Sequence, residues 1–146
     1  MKITIKTDAA AEDTLVEITC SQLSPEIEKI AAILRMMDKQ LTGKREGQIE
    51  LVPVHHVIYI ESVDRKCFLY TDTSCFESDF KLYELEEQLH SSGFFRISKS
   101  LLINLQEVKS IRSEYNRRLL VTMCNGEQII ASRKYAEQLK KRLGVK

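Results

Sequence analysis

The sequence predicts a mainly β fold with short helices, preceded by a small β-β-α module. Three observations support this fold class. Short segments rich in β-branched and aromatic residues recur after residue 48 and are separated by turn residues. Two such segments flank Asn125-Gly126, a strong signal for a β-hairpin. Before residue 48, apolar residues recur at helical spacing over residues 27–41, which predicts one amphipathic helix.

Residues 1–48 are expected to form two strands and a helix. Residues 2–6 and 14–20 are β-branched and partly alternate between apolar and polar, which predicts strands. Ser24-Pro25-Glu26 predicts a helix start, because Ser is a good N-cap, Pro fits the first helical position and Glu suits the positive end of the dipole. The apolar stripe of this helix is expected to contain Ile27, Ile30, Ala31, Leu34, Met37 and Leu41. Residues 42–47 resemble a linker, so we expect one domain over residues 1–48 and a second over residues 49–146.

The second domain is expected to consist of short strands with two helices. Strands are expected at residues 49–52, 57–61, 67–71, 108–111, 118–124 and 127–131, with another around Phe76. The first helix is expected over residues 80–90 and is ended by Gly93. Ser132 is expected to cap a closing helix with Tyr135, Leu139 and Leu143 on one face.

Composition predicts a soluble, cytoplasmic protein. Of the 146 residues, 43% are hydrophobic and 29% are charged, which is typical of a globular chain. No apolar run approaches the roughly 18 residues of a membrane helix, and the N-terminus has no apolar signal core. The four cysteines, Cys20, Cys67, Cys75 and Cys124, are scattered without a Cys-x-x-Cys pair. We therefore expect reduced thiols and no zinc site.

The net charge of +1 hides an uneven distribution. Residues 91–146 carry twelve basic and four acidic residues, a net charge of +8. Residues 49–90 carry three and nine, or −6, and residues 1–48 carry seven and eight, or −1. The basic last third predicts a surface that faces a polyanion.

Catalytic patterns are missing from the sequence. His55 and His56 are adjacent, so in a strand their side chains would point to opposite faces. The sequence contains no Gly-x-Ser-x-Gly elbow, no phosphate-binding glycine loop and no His-Glu-x-x-His motif. The acidic residues at 84, 86 and 87 fit a solvated helix face. We assign no catalytic residues.

Four basic segments are candidates for binding. Arg133 and Lys134 follow Ser132 in the first helical turn, where cations oppose the helix dipole unless an anion lies nearby. The alternative is a charged surface balanced by neighbouring carboxylates. The other three segments are Ser98-Lys99-Ser100 between apolar flanks, Asp64-Arg65-Lys66 at a turn, and Arg117-Arg118.

Three further stretches point to a family. They are Val57-Ile58-Tyr59-Ile60-Glu61-Ser62; Leu82-Tyr83-Glu84-Leu85-Glu86-Glu87 followed by Phe95-Arg96-Ile97-Ser98-Lys99-Ser100-Leu101-Leu102-Ile103-Asn104; and Asn125-Gly126 leading to Ala131-Ser132-Arg133-Lys134-Tyr135. In this order and spacing, over about residues 49–144, they resemble the LytTR DNA-binding domain of bacterial transcription regulators.

The resemblance implies an elongated, mostly β domain whose loops enter successive major grooves of double-stranded DNA. The family's contact loops correspond to Arg65, Lys66 and Cys67, to Ser98, Lys99 and Ser100, and to Arg133 and Lys134. The basic segments found independently coincide with these loops, and Arg117 adds a further candidate. The family commonly has His and then Arg where this chain has Ser98 and Lys99. Lys makes a point-charge contact where Arg can bind guanine through two hydrogen bonds, so the preferred base at this position is open.

The function expected is a sequence-specific DNA-binding transcription regulator without enzymatic activity or a required cofactor. One alternative is an RNA-binding β protein, which needs exposed stacking aromatics, whereas Phe94 and Phe95 resemble core anchors. The other is a protein-interaction module whose basic segments meet an acidic partner. Many family members carry a receiver domain in front, for which residues 1–48 are too short. These residues are expected either to form a homodimer or to cover one side of their own β domain.

Overall fold

The computed structural model describes residues 1–145, which contain ten strands and three α-helices. The strands are β1 (Gln40–Arg45), β2 (Gln48–Pro53), β3 (Tyr59–Val63), β4 (Lys66–Tyr70), β5 (Cys75–Ser78), β6 (Phe94–Ser98), β7 (Leu101–Asn104), β8 (Val108–Ser113), β9 (Leu119–Met123) and β10 (Gln128–Ala131). The α-helices are α1 (Pro25–Asp38), α2 (Leu82–Leu89) and α3 (Arg133–Arg142). The prediction of a mainly β fold with short helices is confirmed.

The strands form two antiparallel sheets. The seven-stranded sheet has the order β2-β1-β5-β4-β3-β7-β6, and the three-stranded sheet has the order β10-β9-β8. Side chains alternate across β3, so Ile60 packs in one core with α2 and Met36 of α1. Tyr59, on the other face, packs in a second core with the small sheet and with Leu139 of α3. The large sheet is therefore the middle layer of the protein.

Helix α1 starts as the sequence predicts. Ser24 Oγ accepts a hydrogen bond from the Ile27 amide at 3.3 Å, and Pro25 occupies the first turn. The helix ends at Asp38 rather than Leu41, because the chain enters β1 at Gln40. Its buried residues are Ala32 and Met36, whereas Met37, expected on the apolar stripe, is 65% exposed. The helix thus covers its own β domain, which was one of the two expected roles of this segment.

The strands predicted at residues 2–6 and 14–20 do not form. Residues 1–23 contain turns and bends but no strand or helix, and all of them are exposed. Alternation predicts a strand only where a neighbouring strand supplies hydrogen bonds and a buried face. Nothing in the described chain pairs with these residues, so the pattern alone gave a wrong prediction.

The predicted linker at residues 42–47 is also wrong, because these residues form a β-hairpin. β1 pairs with β2 from Gln40 opposite Pro53 to Arg45 opposite Gln48. Glu46 and Gly47 have φ values of 52° and 78°, typical of a two-residue hairpin turn. Gly43 is needed for packing rather than flexibility, since a Cβ there would lie 2.6 Å from Cβ of Phe76. Glycines suggested a linker, but each has a structural role in the hairpin.

Asn104 fixes the junction between β3, β7 and the small sheet. The residue is fully buried, and its backbone N–H donates to the Ile58 carbonyl at 2.9 Å. Its side-chain Nδ2 donates to the Val57 carbonyl at 2.9 Å, and its Oδ1 accepts from the Gln106 amide at 3.0 Å. The junction holds the β6–β7 hairpin against β3.

None of the helices in residues 1–145 combines the length and apolar character that crossing a membrane requires.

Candidate nucleic-acid interface

The turn between β3 and β4 presents the first basic segment. Val63 pairs with Lys66, leaving Asp64 and Arg65 as a two-residue turn with φ values of 51° and 68°. This left-handed geometry matches the right-handed twist of the strands. The Arg65 side chain is exposed. Lys66 Nζ lies 3.7 Å from Glu77 Oε1, in an ion pair whose lysine side chain is 63% exposed.

Cys67, the third residue expected in this segment, faces the core. Its side chain is only 2% exposed and packs among the residues of the first core. Burial raises the pKa of the Cys67 thiol, since an apolar environment disfavours the thiolate. The prediction that Cys67 contacts DNA is therefore corrected for its side chain: β4 turns it inward by the alternation that leaves Lys66 outside.

The second basic segment is a tight loop between β6 and β7, which we call the 98–100 loop. Ser98 pairs with Leu101 across it, and Lys99 and Ser100 are exposed. Ser98 Oγ accepts a hydrogen bond from the Ser100 amide at 3.3 Å. The Ser62 amide donates to the Ser100 carbonyl at 2.8 Å. This last bond ties the loop to β3, just before the Asp64-Arg65 turn.

The start of α3 lies beside the 98–100 loop, because the Ser132 amide donates to the Ile97 carbonyl at 3.2 Å. Ser132 is the N-cap as predicted, but its side chain makes no capping hydrogen bond. Arg133 and Lys134 are exposed, and no acidic residue occupies this first turn. Lys134 Nζ lies 5.3 Å from the Tyr135 ring, within the range of a cation–π contact.

The fourth segment joins β8 to β9. Asn116 and Arg117 both have φ of 64°, and Arg117 is exposed. Leu119 pairs with Ser113 on one side and with Ala131 on the other. Because Ala131 immediately precedes Ser132, this pairing sets the connection beside the start of α3.

These four segments share one end of the molecule, which we call the basic edge. The basic edge comprises Arg65, Lys66, Ser98, Lys99, Ser100, Arg117, Arg133 and Lys134. β3 and β7 are antiparallel and Glu61 pairs with Leu101, so the end of β3 and the start of β7 lie at the same end of the large sheet. The Ser62–Ser100 and Ser132–Ile97 bonds link the β3–β4 turn, the 98–100 loop and α3 in succession.

The charges of the basic edge are largely unneutralised. Five of its cations form no ion pair with any carboxylate of residues 1–145: Arg65, Lys99, Arg117, Arg133 and Lys134. The alternative of a surface balanced by nearby carboxylates therefore does not hold for the start of α3. Exposed cations grouped without counter-charges are the expected footprint of a polyanion partner.

Other polar clusters offer less. His55 and His56 lie in a 3₁₀ turn over Val54–His56 rather than in a strand, and their ring centroids are 4.4 Å apart. Their side chains are thus neighbours, since the opposite orientation was expected only if the two residues lay in a strand. Within residues 1–145, no three His, Cys, Asp or Glu side chains are grouped closely enough to hold a metal ion. All four cysteines are free thiols.

Arg96 is a residue of this region that the sequence did not single out. Its guanidinium bonds to Glu86, to the Ser98 carbonyl and to the Lys99 carbonyl. An arginine between Phe95 and Ile97 in a strand was the available signal, since a charge among apolar neighbours needs partners. Its role depends on Glu86, ten residues earlier in the chain, which no local pattern relates to it.

Comparisons with known proteins agree with this structure. The LytTr DNA-binding domain family matches residues 47–144. An uncharacterized HTH-type transcriptional regulator of Staphylococcus aureus strain MSSA476 is 25% identical over 147 residues, covering 99% of both chains. A similarly described regulator of strain MRSA252 is 24% identical, with the same coverage.

A solved structure shares the fold. It is the LytTr DNA-binding domain of a Bacillus cereus protein described as a methyl-accepting/DNA response regulator. It is 28% identical, with a TM-score of 0.69, and the match covers 73% of this chain and 98% of that one. The family match spans about two thirds of the chain and includes every segment of the basic edge. The protein therefore belongs to the LytTR DNA-binding domain family.

Proposed function

We propose that this protein is a sequence-specific transcription regulator that binds duplex DNA with its basic edge. The observation that carries the proposal is the convergence of four cationic segments, brought together by backbone hydrogen bonds, in which every cation except Lys66 forms no ion pair within residues 1–145. The family match and the regulators named among its relatives support it. Such a protein acts in the cytoplasm, without a catalytic step or a cofactor.

Loops, rather than one recognition helix, are proposed to read the DNA. The relatives are named HTH-type, but in residues 1–145 strands separate each α-helix from the next, so no helix-turn-helix pair occurs. The first turn of α3 offers backbone N–H groups together with Arg133 and Lys134, a combination suited to a phosphate. Lys99, at the tip of the 98–100 loop, is the candidate for a base contact in the major groove.

Single-stranded RNA is the second candidate ligand, and one observation favours it. Phe94 is 2% exposed and Phe95 is half-buried, so neither offers a stacking face. Tyr115, however, is 91% exposed and lies two residues before Arg117. An exposed aromatic ring beside a cation is a feature of single-strand binding. If this alternative holds, Tyr115→Ala should lower the affinity for single-stranded RNA. If duplex DNA is the ligand, Tyr115→Ala should leave the affinity for the duplex nearly unchanged.

We propose a homodimer assembled through the part of residues 1–48 that its own domain leaves exposed, residues 1–23, placed against β2 of the second copy. β2 is an outer strand of the large sheet, and its Ile49 and Leu51 are 70% and 66% exposed. Residues 1–23 are exposed and include the alternating Ile3 and Ile5. A second copy's N-terminal segment therefore suits this edge in its alternating apolar pattern.

The decisive experiment combines selection with a salt series. Duplexes selected from a random pool give the preferred site, and affinities are then compared for that duplex, a scrambled duplex, single-stranded RNA and an acidic protein. We expect the selected duplex to bind tightest, with a logarithmic affinity that falls steeply with salt. Equal affinity for the selected and scrambled duplexes would remove sequence specificity. A preference for RNA or for the acidic protein would replace the proposed function.

A further inference from the structure

Each of the three guanidinium nitrogens of Arg96 donates a hydrogen bond to a group of its own chain. Nη1 donates to Glu86 Oε1 at 2.9 Å, Nε donates to the Ser98 carbonyl at 3.0 Å, and Nη2 donates to the Lys99 carbonyl. The side chain is 20% exposed, whereas that of Glu86 is 41% exposed. With all three nitrogens engaged and little surface free, Arg96 is poorly placed to bind DNA itself.

The three carbonyl oxygens of the 98–100 loop all accept hydrogen bonds from groups of the same domain. Those of Ser98 and Lys99 accept from Arg96, and that of Ser100 accepts from the Ser62 amide. The peptide bonds are trans, so the N–H that follows each carbonyl points the opposite way. The Lys99 amide therefore faces away from Arg96. The loop therefore presents the Lys99 amide and the exposed Lys99 side chain outward, whereas its three carbonyls accept bonds from its own chain and the Ser100 amide donates to Ser98 Oγ.

This orientation matters next to a polyanion. A peptide carbonyl directed outward would place partial negative charge against the phosphates or against base acceptors, while an N–H directed outward attracts them. Arginine suits the role because its planar fork has donors at fixed angles, which one lysine ammonium cannot reproduce. Glu86 on α2 holds the third nitrogen and so fixes the plane of the fork.

We propose that Arg96, oriented by Glu86, is a positioning residue that turns the carbonyls of the 98–100 loop inward and thereby presents Lys99 to DNA. The inference rests on the proposed DNA-binding function. Arg96 then affects DNA affinity and base preference by positioning Lys99 and not by contacting the DNA itself. It also predicts that removing the fork alters the loop without disturbing the Asp64-Arg65 turn, whose shape is set by its own backbone.

The test is a double-mutant cycle on the full-length protein, with the duplex selected by the wild-type protein as the probe. Arg96→Lys should weaken binding about tenfold and reduce the ratio of affinities for selected and scrambled duplexes. Lys99→Ala should then cost much less in the Arg96→Lys background than in the wild type, because Lys99 is no longer held in place. Arg65→Ala should cost the same in both backgrounds.

Controls separate positioning from general stability. Arg45→Lys alters another arginine–carboxylate pair, Arg45 Nε to Glu50 Oε2 at 3.0 Å on β1, and should leave DNA binding unchanged. Hydrogen exchange at the Ser100 amide, which donates to Ser98 Oγ, should accelerate in Arg96→Lys and remain as in the wild type in Arg45→Lys. If Arg96→Lys does not fold, Glu86→Gln serves the same cycle with a smaller expected loss, of about threefold.

Two results overturn the inference. One is full DNA affinity in Arg96→Lys or, where that variant does not fold, in Glu86→Gln. The other is strict additivity with Lys99→Ala. The proposed function fails separately, if the wild-type protein does not discriminate between the selected and scrambled duplexes. Lys99→Ala and the double change of Arg133 and Lys134 report on that function without any change at Arg96. Coupling to Lys99 without coupling to Arg65 supports the positioning role.

Discussion

Residues 1–23 and the 98–100 loop both have a clear local sequence pattern, but only the loop is bonded to the rest of the domain. The loop is flanked by two paired strands and is bonded through Ser62 and Arg96 to the rest of the domain. Residues 1–23 alternate convincingly over part of their length, yet they are wholly exposed and pair with nothing in the described chain. The comparison shows that a local pattern becomes structure only where another segment supplies hydrogen bonds and buried area.

The largest expected effect concerns the start of α3. Changing Arg133 and Lys134 together to Ala should weaken DNA binding about a hundredfold, since each charge-assisted contact to phosphate is worth about 1.5 kcal/mol. The slope of log affinity against log salt should fall by about 2. Fluorescence anisotropy at several salt concentrations measures both quantities. Thermal stability should be unchanged or slightly raised, because a conflict with the helix dipole is removed.

The matched control is Lys140→Ala with Lys141→Ala. These cations lie in the last turn of the same helix and change the net charge equally. Because they are at the opposite end of α3, they should affect DNA binding much less, and their loss should slightly destabilise the helix. Equal losses of affinity in both double variants would mean that net charge, rather than the start of α3, governs binding.

The second prediction concerns Asn104, at the junction between β3, β7 and the small sheet. Asn104→Ala leaves the Val57 carbonyl and the Gln106 amide without their side-chain partner and should lower the free energy of unfolding by about 2–3 kcal/mol. Denaturant titration measures it. Asn125→Ala, which removes the exposed acceptor Oδ1 of a turn hydrogen bond donated by the Glu127 amide, should cost well under half as much. Similar costs for both would show that the buried junction adds no special stability.

Much of the fold could be predicted from the sequence, because many of its signals act between residues that are close in the chain. Helix signals such as Ser24 and Gly93 act within one turn, and the left-handed φ of 85° at Gly93 is a local requirement. The basic segments could be singled out because cations at a helix start or loop tip are unusual on their own, whereas their assignment to one DNA-contacting set came from the family resemblance. By contrast, the Arg96–Glu86 pair and the packing of Gly43 under Phe76 depend on partners distant in sequence. Cys67 needed the register of β4 to reveal that it faces inward.

A third prediction concerns the tip of the loop. Lys99→Ala should reduce affinity for the selected duplex about tenfold, or about 1.4 kcal/mol, and relax base preference at one position. Repeating the selection with the variant protein measures that preference. Lys109→Ala, an exposed lysine on β8 outside the basic edge, should have little effect. A loss of equal size on every duplex would make Lys99 a phosphate contact, and no loss would place the loop outside the interface.

The smallest expected effect on stability comes from the segment that the fold does not hold. A variant that begins at Ser24 keeps the cap of α1 and loses only exposed residues, so its free energy of unfolding should change by less than about 0.5 kcal/mol. Truncation at Gly47 is not equivalent, because it would remove β1 from between β2 and β5 and Met36 from the core.

Under the dimer proposal, the Ser24 variant becomes monomeric in sedimentation while keeping its affinity for a single half-site. Ile49→Thr with Leu51→Thr should have the same effect on assembly with residues 1–23 intact, since it removes the apolar face of the proposed receiving strand. A wild-type protein that is monomeric at tens of micromolar, or a Ser24 variant that remains dimeric, would exclude residues 1–23 as the dimer contact.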